Sequence, residues 1–362
     1  MEVVKISNQN LVINEKDWLD QSLYVQIARQ GFRNVNWSEV PDEVMLYLFL
    51  HDEPAHGRER SNQTKKEYFR DIRDLLAFAS EFGGIRYVNQ DDIEVYQSRI
   101  HEKYKATSLR RKSAVIKQFL RYLNVRGMIN QDLSLMMKKV AIKKEDLVNR
   151  DLYEHEVKQL LDYFKKKDWF AYTLIFILVS TGLRIAELAS ANWSSLMYHE
   201  KLDRYFLTVI GKRKKERPVV IFNDVLEVVK ELRRRKGLTT ELNPEDETAF
   251  FPKSNGSHYN SSYLSNEFSR LIMSTADVLP LVKQRLKKEE DYEKQGNSIK
   301  FRITAHTCRH FTATYYSDQD GIDVKDVRDL LGHESITTTE TYLRRKRRLE
   351  EHAGVKLGEK FM

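Results

Sequence analysis

A predominantly polar stretch, AIKKEDLVNRD from Ala141 to Asp151, divides this chain into two parts that each carry their own apolar periodicity. Such a segment offers no continuous face to a core, so it reads as an interdomain linker with a separate core on either side. With 362 residues the chain has the length for two domains and some additions, and it can bury substantial cores.

The part before the linker reads as helix throughout residues 61–140. Ser61 and Thr64 are candidate caps for a helix carrying Tyr68, Phe69, Ile72, Leu75, Leu76 and Phe78. A second helix is expected near Asp91 to Ile100. A third begins after Thr107 or Ser108, with Leu109, Ile116, Phe119, Leu120 and Leu123 on one face. Residues 103–126 hold eight Lys/Arg and no acid, and Arg110, Lys117 and Arg121 line up as a stripe beside the apolar face. A charge run is ordinarily a solvated flank; the complete absence of acids favours phosphate contact.

After the linker, Glu154 to Phe164 and Trp169 to Val179 read as helices, the second ended by Gly182. Arg204 to Ile210 and Arg217 to Phe222 are strand-like and joined by the basic turn GKRKKE. Further helices are expected at Val225 to Arg235, Asn266 to Ala276 and Thr307 to Ser317. Lys283 to Lys300 reads as a charged insertion.

Formal charge is +8 and the isoelectric point about 9.2, which favours a polyanionic partner. Residues 1–60 are net −4, so the remainder carries +12. That acidic balance points to a packing or protein-contact extension rather than a nucleic-acid arm. The single cysteine, Cys308, excludes an intrachain disulfide and a Cys-based zinc site, and suits the cytoplasm. The most apolar stretch, Trp169 to Val179, is too short to span a bilayer, and no membrane partner is expected.

Four motifs in the second half carry chemistry: TGLRIAEL (Thr181 to Leu188), GKRKKER (Gly211 to Arg217), HTCRH (His306 to His310) and LGHESITTTETY (Leu331 to Tyr342). Two arginines, a lysine, histidines and a tyrosine without a carboxylate cluster form a metal-free phosphoryl-transfer set. Arg184 and Arg309 can grip phosphodiester oxygens bidentately. Glu187, one helical turn past Arg184, is placed to brace it. His306 lies three residues before Arg309 and so on the same helix face, whereas His310 is expected to turn away into a buried structural role. His306 and His333 suit proton transfer. Lys212, Lys214 and Lys215 are competing candidates for the acid that protonates a leaving oxygen.

The order and spacing of these motifs, over roughly residues 60–345, resemble the tyrosine recombinase (phage integrase) family. The resemblance implies a mainly α fold with a small antiparallel β-sheet in the catalytic domain, arranged as a two-domain DNA clamp. It implies an N-terminal extension (1–60), a helical SAM-like core-binding domain (61–140), the linker (141–151), a catalytic domain (152–345) and a tail (346–362) that docks in trans. The nucleophile it implies is Tyr342, nine residues after His333; Tyr315 and Tyr316 fall to core roles. It places the acid at Lys212, directly after Gly211, and leaves Lys214 and Lys215 to backbone phosphates beside Arg110, Lys117 and Arg121. The implied activity is site-specific DNA recombination through a 3′-phosphotyrosyl link, by a transposase or integrase of a mobile element. No cofactor or metal is expected. The expected partners are double-stranded DNA, further copies of the chain in a synaptic tetramer, and accessory recombination proteins. The alternatives are a type IB topoisomerase and a DNA-binding protein with a decayed site.

Overall fold

The computed structural model describes residues 24–25, 28–29, 31, 35–52, 59–141, 151–211, 215–294, 300–319 and 322–332. The chain forms two compact units, 1–147 and 148–362.

The first unit is helical. Helices α1 (Asp42–His51), α2 (Asn62–Ala79), α3 (Gln90–Lys103) and α4 (Ala106–Val125) share one core. The α4 positions chosen by periodicity, Leu109, Ile116, Phe119, Leu120 and Leu123, are all buried. Ser61 caps α2, its hydroxyl accepting from the Thr64 amide at 3.2 Å. Helix α3 is better fixed than its pattern suggested: Asn89 and Asp92 cap each other reciprocally, at 3.0 and 2.9 Å. Helix α1, assigned by sequence to the N-terminal extension, is buried from Val44 through His51 and packs against α2 and α4. Part of that acidic stretch is therefore core.

The second unit is built around α6 (Trp169–Thr181), which is buried on most sides. Helices α5 (Glu154–Lys167), α8 (Asn223–Arg235), α9 (Ser261–Met273) and α11 (Ala305–Ser317) pack on it. Helix α7 (Ile185–Ser190) leads into an antiparallel sheet of β1 (Leu196–His199), β2 (Arg204–Ile210) and β3 (Glu216–Ile221), with β2 central. Leu207 pairs with Leu196 on one side and Val219 on the other, and all three are buried. Strand β1 was not expected. Helix α9 starts five residues earlier than its apolar pattern indicated, because Asn260 accepts from the Ser262 and Tyr263 amides. The charged insertion begins as a packed helix, α10 (Pro280–Lys294), with Leu281, Val282 and Glu289 buried. Its Arg285 bonds the Glu156 carboxylate at 2.9 Å and the Asp151 carbonyl at 2.7 Å. The last helix among the described residues, α12 (Val324–Leu331), packs on α11.

Candidate active site

The TGLR turn is set by local chemistry. The Thr181 hydroxyl donates to the Ile177 carbonyl and accepts from the Leu183 amide. Gly182 takes a left-handed conformation, φ +63°, and ends α6. Arg184 then sits at the N-cap of α7. Its amide donates to Glu187 Oε2 at 2.9 Å and its Nη1 to Glu187 Oε1 at 2.7 Å. The arginine side chain stays 38% exposed while its brace is 3% exposed.

Glu187 holds more than Arg184. Arg217 Nη2 donates to Glu187 Oε2 at 2.9 Å, and Arg217 Nη1 donates to the Leu330 carbonyl at 2.6 Å. Burial disfavours the Glu187 carboxylate, but the Arg217 charge and the bonds from Arg184 outweigh it and hold its pKa below the usual carboxylate value. A Cβ on Gly211 would lie 3.4 Å from Glu187 Oε1, so the β2–β3 hairpin leaves the sheet against this carboxylate. The turn is closed by the Gly211 amide donating to the Lys215 carbonyl at 2.8 Å. Lys215 is exposed, while Lys212 and Lys214 lie outside the described residues.

Helix α11 brings the second basic pair. Thr304 caps it, accepting from the Thr307 amide. Thr312 locks it to the end of α6, its hydroxyl donating to the Val179 carbonyl at 2.8 Å. Arg309 is 3% exposed and donates through Nη1 to the Gly182 carbonyl at 2.5 Å and through Nη2 to the Leu331 carbonyl. His306 sits on the exposed side of the same helix. Desolvation lowers its pKa below the ordinary imidazole value, and the charges of Arg309 and Arg184 push it the same way. His306 is therefore neutral near pH 7, with one ring nitrogen to donate and one to accept.

His310 does not turn away from this face. Four residues past His306, it packs edge-on against that ring at 4.5 Å, and its Nδ1 lies 3.8 Å from Asp151 Oδ1. The i,i+4 helical spacing is the reason. Tyr316 is half-buried, donates to the Ser180 carbonyl and has its pKa pushed by burial up to about 12. Tyr315 is exposed and stacks on Phe311, so its expected core role does not hold. The Cys308 thiol is fully buried and raised to about 12 by burial, which makes it inert.

The structure thus gathers Arg184, Arg309, His306 and the root of the basic hairpin around the Gly182 turn. Two guanidiniums beside a neutral imidazole can hold a phosphate and stabilise charge building on its oxygens. His333 and Tyr342 lie outside the described residues.

Arg110, Lys117 and Arg121 lie in the first unit, on α4. Arg110 and Arg121 are exposed, whereas Lys117 is half-buried and donates to the Met137 carbonyl at 3.4 Å. Their neighbours Arg111 and Lys112 pair with acids of α2: Arg111 with Asp71 at 2.5 Å and Lys112 with Asp74 at 3.0 Å. Part of the acid-free run is therefore neutralised inside the unit. A groove of about 960 Å³ between α2 and α4 is lined by further cations, among them Lys66, Arg70 and Arg73. Their recurrence at helical spacing is the sequence signal for this cationic face.

Comparison with known proteins bears on the fold and the family. A tyrosine recombinase of Thermosipho africanus (strain TCF52B) is 24% identical over 296 residues, covering 80% of this chain and 91% of its own length. The fold resembles that of a XerH site-specific recombinase bound to palindromic difH substrate in a post-cleavage complex. There the TM-score is 0.63 at 18% identity, over 93% of this chain and 89% of that one. It also resembles a lambda integrase tetramer bound to a Holliday junction, with a TM-score of 0.57 at 16% identity over 79% and 73% of the two chains. The profile of the phage integrase N-terminal SAM-like domain matches residues 55–127. With the profile of its catalytic region matching residues 150–348, the chain belongs to the phage integrase family.

Proposed function

We propose that this chain is a site-specific DNA recombinase that cuts and rejoins DNA through a 3′-phosphotyrosyl intermediate and exchanges strands. The observation that carries the reading is the convergence of Arg184, Arg309 and His306 on one turn. In the reaction, the Tyr342 hydroxyl attacks phosphorus and gives up its proton to a base, with His306 and His333 the candidates. The bond to the 5′-oxygen breaks, and Lys212 delivers the proton that the leaving oxygen needs. Arg184 and Arg309 neutralise the charge that builds on the non-bridging oxygens. The phosphotyrosyl bond conserves the energy of the phosphodiester, so the chemistry calls for no cofactor.

Arg110, Lys117, Arg121, Lys214 and Lys215 supply backbone phosphate contacts. Similarity to a tetramer on a Holliday junction supports assembly of several copies on DNA. Residues 346–362 dock on a neighbouring copy in this reading. An integrase or transposase of a mobile element is the favoured role, with accessory proteins as further partners. The cytoplasm is the setting in this reading. Among the described residues no helix is long and apolar enough to cross a membrane.

The test is incubation of the full chain with a nicked duplex library, followed by a denaturing gel. The wild-type chain should give a covalent adduct, and Tyr342→Phe should bind equally and give none. An adduct from the Phe variant, or loss of the adduct on changing Tyr315 alone with fold and binding intact, refutes the nucleophile.

A further inference from the structure

Strand β3 begins with residues of alternating exposure. Arg217, Val219 and Ile221 share the inward face, while Glu216 and Pro218 are exposed. An arginine thus occupies the first core-facing position of a strand whose other inward residues are aliphatic. Its side chain is 11% exposed, and its Nε has no hydrogen-bond partner among the described residues. Burying a cation with one donor unsatisfied is an unfavourable way to fill a core position. The partners of the other two nitrogens explain its presence.

Those partners belong to three parts of the active site. Nη2 bonds the carboxylate oxygen of Glu187 that also accepts from the Arg184 amide, and the second oxygen of that carboxylate takes the Arg184 guanidinium. Nη1 bonds the carbonyl of Leu330, next to the Leu331 carbonyl that Arg309 holds. The backbone of Gly332 lies directly on this side chain, where a Cβ would stand 2.6 Å from Arg217 Cδ. Arg217 itself stands two residues after Lys215, at the foot of the hairpin that carries Lys212.

We propose that Arg217 is a positioning residue that sets the geometry of Arg184 through Glu187, its second bond, to the Leu330 carbonyl, holding its own side chain in place. It touches no reacting atom in this scheme. Without its charge, the buried Glu187 carboxylate keeps Arg184 as its ion-pair partner among the described residues. Arg184 is then drawn inward, away from a bound phosphate. Displacement of such a clamp by about 1 Å costs on the order of 100-fold in rate. A lysine cannot reproduce the arrangement, because it lacks the planar fork that reaches Glu187 and Leu330 together.

This inference rests on the recombinase reading, and the experiment separates the two. A duplex site selected by the wild-type chain from a randomised library is used to measure DNA affinity and single-turnover adduct formation for the full chain. Adduct formed by the wild type supports the reading, and its absence sinks both. Arg217→Met should bind the duplex within about 2-fold of wild type yet form adduct about 10- to 100-fold more slowly. Arg217→Lys should recover only part of that loss. In the Arg184→Lys background, adding Arg217→Met should cost little more, because Arg217 acts through Arg184. A residue that only stabilises the fold would give additive losses. Should Arg217→Met fail to fold, Glu187→Gln carries the same expectations. Wild-type adduct formation by a folded variant, or losses that simply add to those of Arg184→Lys, overturns the proposal.

Discussion

Gly182→Ala tests how tightly the active-site turn is wedged between helices. The residue has φ +63°, and a left-handed backbone costs a side-chain-bearing residue about 1–2 kcal/mol. The added Cβ would also lie 2.6 Å from Leu331 Cδ2 and 3.2 Å from Thr312 Cγ2. Neither neighbour can yield easily. Leu331 is fully buried, and the Thr312 hydroxyl is tied to the Val179 and Cys308 carbonyls. Overpacking of this kind adds about 1–3 kcal/mol, so the total is about 2–5 kcal/mol. Gly237→Ala supplies the reference. Gly237 has φ +70° in the same unit, but nothing lies within 4 Å of its Cβ position, so only the backbone part remains. Because a chain with two units need not unfold in one step, local stability is best read by hydrogen exchange in peptides covering α6 and α11 over a urea series. Gly182→Ala should lose at least about 1 kcal/mol more than Gly237→Ala, the lower bound of the overpacking cost. It should also form adduct more slowly, since Arg309 donates to the Gly182 carbonyl. Equal losses from the two variants would refute the wedge.

Three further outcomes are expected. Replacing Arg110, Lys117 and Arg121 together by Ala should flatten the salt dependence of DNA binding by about two units of slope. That is near one for each exposed arginine, with less from Lys117, which is engaged with Met137; an unchanged slope returns the stripe to a solvated face. The folded chain holds the His306 pKa down, so as pH falls below about 6.5 the unfolded chain takes up the proton first and stability is lost toward the folded value. His306→Gln should accordingly lose less stability than wild type between about pH 7 and pH 5 in denaturant titrations, and an identical pH dependence contradicts the shift. Adduct formation should proceed in excess chelator, since the charge-neutralising groups are arginines; inhibition by chelator that a divalent ion reverses would show that the site is wrongly built.

Periodicity and motif spacing made most of this legible. The α4 face is correct at all five positions because a buried stripe must repeat every three to four residues. Strand β2 falls on its expected bounds because Leu207 and Val209 alternate inward beside a basic turn. Strand β1 escaped because it is four residues long and two of them, Met197 and Tyr198, are exposed. Helix α1 is masked in the sequence by the net acidic charge of residues 1–60, which hides a nearly continuous apolar run from Val44 to Leu50. At the site, Arg184, His306 and Arg309 could be named from their motifs. Arg217 could not be told from its basic neighbours by composition. Only its register with Val219 and Ile221 marks it as inward-facing, and only the fold brings Leu330 to it.

Helix α6 has a consequence for biosynthesis. Nine of its thirteen residues are buried, and its cover comes largely from elements made later, α8, α9 and α11. The last of these begins at Ala305, more than a hundred residues after α6 ends at Thr181. At a translation rate of about 5–20 residues per second, α6 waits roughly 6–25 s for the helix that completes its burial. The first unit has its whole sequence by residue 147 and can fold on the ribosome in the meantime. During that interval the nascent chain presents an apolar helix that chaperones would bind and that aggregation would exploit. Slower translation across residues 182–304 should therefore lower the yield of folded enzyme while leaving the first unit intact.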